Sequence, residues 1–326
     1  MTIASGIGSW PGTSVRDALA QVRELLDGHL PYLPELPERG PGADLVGRGA
    51  GLLVELPVDL QPVGWRLVDR PGRDASRTAA LWREDLDELA EAFDGHTGPL
   101  KLQVAGPWTL AASIWLPRGE RAVVDEGAAR DLVESLAEGV RGHVAAVRGL
   151  VPGAEVVLQV DEPSLPAVLD GRLPTASGFG RLPAVDPQVA LAGLRTVLAA
   201  HEGPTVVHCC AARPPLPLLR SAGPTALSLD CTLLGPRGWE GVAVAAESGI
   251  RLHAGIVPTD GARTRVPELA DALVDPWRGV GMPLSSLCDV VVTPTCGLGG
   301  RSAGVARAVQ RAAVETAGEL AERAAG

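Results

Sequence analysis

The feature that most constrains this chain is an alternation of two periodicities. Short apolar runs at residues 2–7, 52–56, 100–104, 155–160, 205–210, 226–229, 251–257 and 289–293 alternate with stretches of helical pattern. The helical stripe is plainest over 125–151, where Leu132, Leu136, Val140, Val144 and Val147 recur every three or four positions. Further helices are expected at 14–27, 75–93, 186–201, 239–248, 267–280 and 303–321. Strands alternating with helical stretches of this length imply parallel βαβ units, because the helix carries the chain back to the end of the sheet where the last strand began. Eight such units predict an α/β chain folded as a (β/α)₈ TIM barrel. A doubly wound open sheet is the alternative, but no G-x-G-x-x-G follows the first run. No composition break marks a linker, so residues 1–326 are expected to form one domain. The Pro-rich stretch 31–41 reads as a loop, and 57–73 as an excursion from the barrel.

In a barrel the chemistry collects where strands end. Here those ends carry Ser9, Glu55, Asp161 with Glu162, His208 with Cys210, Asp230, and Cys296. His208 and Cys210 stand two apart, so their side chains share a face. With Cys296 and Asp230 they offer a nitrogen, two sulfurs and a carboxylate, a donor set that suits Zn²⁺. Cys231 is an alternative to Asp230, Cys209 points into packing, and Cys288 precedes its strand. Of the adjacent acids Asp161 and Glu162, one is expected to serve as a helix cap. The other would face the pocket, as acceptor for a cationic group or as proton carrier. Gly6, Gly8 and Ser9 form either an ordinary tight turn or a set of backbone N–H donors for a carboxylate. Trp108 and Trp115 offer a flat face to a planar ligand, or pack in the core.

The formal charge of −10 without any basic run excludes a nucleic-acid partner. No apolar run is long enough to span a membrane and no leader is visible, so a cytoplasmic location is expected. Five cysteines point to thiol or metal chemistry instead of a disulfide framework. Lys101 is the only lysine among 29 basic residues, which reads as compositional bias.

In chain order the motifs are G-I-G-S-W-P, G-P-W-T, Q-V-D-E-P-S-L, V-H-C-C, L-S-L-D and T-P-T-C-G-L. Together they span nearly the whole chain and resemble the C-terminal catalytic barrel of the cobalamin-independent methionine synthases. The resemblance implies zinc held by His208, Cys210 and Cys296, with Asp230 where the family has a glutamate. It implies that Asp161 contacts the amino group of homocysteine, that Ile7 and Ser9 hold its carboxylate, and that Glu55 assists. The implied reaction moves a methyl group to the homocysteine thiol from a methyl-tetrahydrofolate or a methyl-corrinoid. Two departures stand out. One barrel is present where full-length relatives have two, so a separate protein that supplies the methyl donor is an implied partner. The loop after the seventh run, V-P-T-D-G, lacks the family's histidine. A related methyltransferase acting on another thiol, and a non-catalytic zinc- and thiol-binding protein, are the alternatives.

Overall fold

Where the apolar runs are β-branched and short, they pair. In the computed structural model, which describes residues 2–261 and 265–326, the chain opens with β1 (Ile3–Ala4), α1 (Val15–Leu25) and α2 (Leu45–Gly51). A hairpin of β2 (Val58–Gln61) and β3 (Gly64–Leu67) precedes α3 (Arg73–Ala92), β4 (Gly98–Ala105), α4 (Pro107–Ala111), α5 (Glu126–Leu150) and β5 (Ala154–Asp161). There follow α6 (Leu165–Leu169), α7 (Pro187–Leu198), β6 (Thr205–Cys209), α8 (Leu216–Ser221), β7 (Ala226–Asp230) and α9 (Pro236–Glu247). The chain ends with β8 (Arg251–Val257), α10 (Val266–Gly279), β9 (Val291–Pro294) and α11 (Ala303–Ala325). Seven strands form one parallel, curled sheet in the order β1-β9-β8-β7-β6-β5-β4. Among the described residues no helix is long and apolar enough to cross a membrane.

Two expectations change here. Residues 52–56 are not a strand: they form the turn that follows α2, and the nearby β2–β3 hairpin pairs antiparallel, outside the main sheet. The Pro-rich stretch is not a free loop. It bridges β1 and β4 in parallel register, through Ser5 with Leu30, Ser9 with Glu35, and Tyr32 with Lys101. Leu30 N–H donates to the Ala4 carbonyl, and Glu35 N–H to that of Gly8; on the other side Leu33 N–H donates to Lys101, whose own N–H donates to Pro31. Proline fixes φ in an extended range and removes one donor, so this segment pairs through its remaining groups without forming a continuous ladder. Turn-type composition therefore hid an extended segment.

Alternation along each strand positions the site. One face of the sheet meets the helices through Leu102, Val104, Leu158, Val160, Val207, Cys209 and Leu229, all in the main core. On the other face, Ile3, Leu30, Val157, Val206 and Ala226 form a separate apolar cluster. Two residues further along the same faces come Gln159, His208 and Ser228, and then Asp161, Cys210 and Asp230. The inner face thus changes from apolar to polar toward the strands' C-terminal ends.

Candidate active site

Register alone brings the first pair together: Asp161 on β5 lies opposite His208 on β6. Both are buried, and His208 Nδ1 stands 2.8 Å from Asp161 Oδ1. An ionised carboxylate only accepts, so Nδ1 carries the proton and Nε2 presents a lone pair. Nε2 is buried and has no partner among the described residues. This carboxylate–imidazole arrangement is the one that orients a metal-ligating histidine. Asp161 in turn accepts from Gln159 Nε2 at 2.7 Å.

The sulfurs of Cys210, just past β6, and Cys296, just past β9, lie 4.0 Å apart. Two thiolates on one tetrahedral zinc at about 2.3 Å would stand about 3.8 Å apart. Their shared hydrogen bond draws the Cys296 thiol down to about 6 and pushes that of Cys210 up. Asp230 is half-buried, and one of its carboxylate oxygens caps the following turn by accepting from Thr232 N–H and Oγ1. Cys231, the alternative ligand, is buried and its thiol points back at the Leu229 carbonyl. Cys209 packs in the core, and Cys288 is exposed at the other end of β9. The orphaned imidazole nitrogen and the paired sulfurs fit zinc by donor chemistry, although among the described residues no three donors converge as the side chains stand.

Glu162 is the capping acid of the adjacent pair, but it caps a helix other than its own. Its carboxylate accepts from Trp108 N–H and Thr109 N–H, both at 2.9 Å, and from Thr109 Oγ1, at the start of α4. Gly106 is required for this contact, since a Cβ there would sit 2.4 Å from Glu162 Oε1. Burial pushes Glu162 up to about 7, against the pull of those donors. The G-P-W-T motif is thus a carboxylate cradle facing β5.

Ser9 reaches the loop after β9. Its Oγ accepts from Gly299 N–H at 3.1 Å, and its carbonyl accepts from Leu298 N–H. The two ends of the chain therefore meet beside Cys296. The Ile7 carbonyl is buried beneath and accepts from both Lys101 Nζ and Gln159 Nε2, each at 2.8 Å. Tyr32 packs its ring where Gly6 lacks a side chain: a Cβ there would come within 2.4 Å of the ring.

Three predicted residues lie elsewhere. Glu55 is exposed in the turn after α2, with φ of 58°, and lines a surface cavity with Leu53, Pro57, Trp65 and Thr78. Trp108 offers no face to a ligand: it is 2% exposed and its indole N–H donates to the Ala190 carbonyl on α7. Trp115 is buried beside the hairpin, with the Arg121 guanidinium over its ring. The acid that sequence reading missed is Glu35, in the bridging segment. It is 5% exposed, and burial pushes it up to about 7 although Arg48 and Lys101 pull it down; Asp161 lies near enough for its charge to raise it. Gln103, Gln159 and Lys101 complete a buried polar layer that was also missed. Their signal was present, as polar residues at every second position of otherwise apolar runs.

The family model for the catalytic domain of the cobalamin-independent synthases matches residues 1–319. Among solved structures, that of a B12-independent methionine synthase from Shewanella sp. W3-18-1, in complex with selenomethionine, is similar in fold. Its TM-score is 0.66 at 14% identity, over 99% of this chain and 98% of that one. No curated protein matches the chain in sequence.

Proposed function

Since the chain belongs to the cobalamin-independent methionine synthase catalytic-domain family, whose members are homocysteine S-methyltransferases, we propose that it is a zinc-dependent enzyme that methylates homocysteine with a methyl-tetrahydrofolate. The observation that carries this reading is the buried Asp161–His208 pair with its orphaned Nε2, together with two sulfurs 4.0 Å apart just past β6 and β9. His208, Cys210 and Cys296 would hold the metal, with Asp230 through its second carboxylate oxygen. Zinc, when bound, lets a thiol shed its proton near neutral pH.

The residues of the chain supply position. Asp161, buried and acceptor-only, meets the α-ammonium of the amino acid, and Glu35 adds a second carboxylate on the adjoining segment. Ser9 and the backbone beside it receive the carboxylate, and Glu55 takes no part from its exposed turn. The acceptor sulfur attacks the methyl carbon in line. A sulfur–carbon bond forms as the donor's nitrogen–carbon bond breaks; the electron pair stays on nitrogen, which takes a proton from solvent. Orientation of the two reactants provides much of the acceleration. The cobalamin independence in the family description favours the folate over a corrinoid donor. The segment 30–35, bridging β1 and β4, serves as the eighth stave of a closed, single-domain barrel. A cytoplasmic enzyme with small-molecule substrates accords with this chemistry.

The test is zinc content together with methyl transfer from methyl-tetrahydrofolate to homocysteine. One equivalent of zinc, whose X-ray absorption gains a sulfur neighbour when homocysteine is added, and formation of methionine are expected. A protein that binds no zinc, or zinc indifferent to the thiol, would refute the reading.

A further inference from the structure

The only lysine of the chain is a wholly buried one. Lys101 lies on the inner face of β4 at 0% exposure, a position that lysine almost never occupies without a partner. Its Nζ donates to the Ile7 carbonyl and to Gln159 Oε1, both at 2.8 Å, and stands 5.1 Å from the centre of the Tyr32 ring. Gln159 has its amide oriented by that contact. With its oxygen on the ammonium, its nitrogen must face Ile7 and Asp161, and it donates to both. The chain of contacts is therefore directional, from Lys101 through Gln159 to Asp161 and on to His208.

Charge completes the argument. Burial lowers Lys101 to about 8, while Asp161 and Glu35 hold it up. His253, on β8, is held neutral by burial and by the Lys101 charge. The Lys101 ammonium is thus held by two acids, Asp161 and Glu35, and Glu35 also has the Arg48 guanidinium 3.8 Å away. We infer that Lys101 is a positioning residue for the amino-acid end of the acceptor: its ammonium locks Gln159 and the Ile7 carbonyl, and so sets the Asp161 carboxylate that the acceptor's amino group meets. This rests on the homocysteine reading above.

The test compares Lys101→Met, which keeps the length and removes the charge, with the wild type on two thiols. One is homocysteine and the other is 4-sulfanylbutanoate, which keeps the thiol and carboxylate and lacks the amino group. The expected result is a rise of about 10- to 100-fold in KM for homocysteine, the range for hydrogen bonds to charged groups. Zinc content and kcat are retained, and turnover of the deamino thiol changes little. A parallel loss on both thiols would show a merely structural role and overturn the inference, as would no change on either. If Lys101→Met fails to fold, Gln159→Met interrupts the same relay while leaving the charge, and the same split between thiols decides. A wild type that does not methylate homocysteine refutes the reaction and leaves this inference to calorimetry, with methionine against its deamino analogue. There a selective loss of methionine affinity in Lys101→Met supports it; equal losses, or a wild type that binds neither, refute it.

Discussion

Glu35→Gln should make this protein more stable at alkaline pH while weakening its hold on an amino acid. The Glu35 side chain is trapped: its backbone N–H donates to Gly8, its carbonyl accepts from Trp10, and the residue is 5% exposed. The nearest cation, Arg48, approaches only to 3.8 Å through Nε and gives a short hydrogen bond to Asp85 instead. Burial therefore dominates, lifting the carboxyl from 4.5 to about 7. A raised folded value means that the native state favours the protonated form. The associated stability is complete below pH 4.5 and is lost as pH rises through 7. At about 1.4 kcal/mol for each tenfold change in the proton equilibrium, the ionised carboxylate costs about 3 kcal/mol above pH 8. Glutamine keeps the shape and an acceptor for Gln103, and it removes the charge. Urea unfolding of both proteins should show no difference near pH 4 and a gain approaching about 3 kcal/mol in the variant at pH 8. A difference that does not vary with pH, or a variant less stable at pH 8, would refute the reasoning, since it would mean that Arg48 offsets the burial.

Gly106→Ala inserts a methyl group 2.4 Å from the Glu162 carboxylate and should cost about 1–3 kcal/mol by overpacking, read as a lowered urea midpoint. Trp108→Ala should cost about 3–5 kcal/mol of stability, yet leave the KM of the folded fraction unaltered, because its indole faces α7; a selective rise in KM would restore a ligand-binding role. Cys296 is exposed, so metal-free Cys296→Ala should unfold at nearly the temperature of the metal-free wild type, while zinc binding and methyl transfer are lost; retention of full zinc would remove it from the ligand set.

Much of this protein was legible as local pattern. A residue's alternation along a strand depends only on its neighbours, so the T-V-V-H-C-C run already placed His208 and Cys210 on one face and Cys209 in the core. The adjacent acids announced one cap and one pocket residue for the same reason, although the helix that Glu162 caps lies 53 residues away in the chain. What local pattern could not convey was the bridging segment. Pro31 and Pro34 give residues 30–35 a turn-like composition, so nothing local showed that they pair with both β1 and β4, or that Glu35 is buried there while Glu55 is exposed. Nor does composition distinguish a lone lysine in an arginine-rich chain from a buried one. Burial is decided when β4, β5 and the bridging segment pack together, and there the Lys101 ammonium is satisfied by the Ile7 carbonyl and Gln159 Oε1 in place of water.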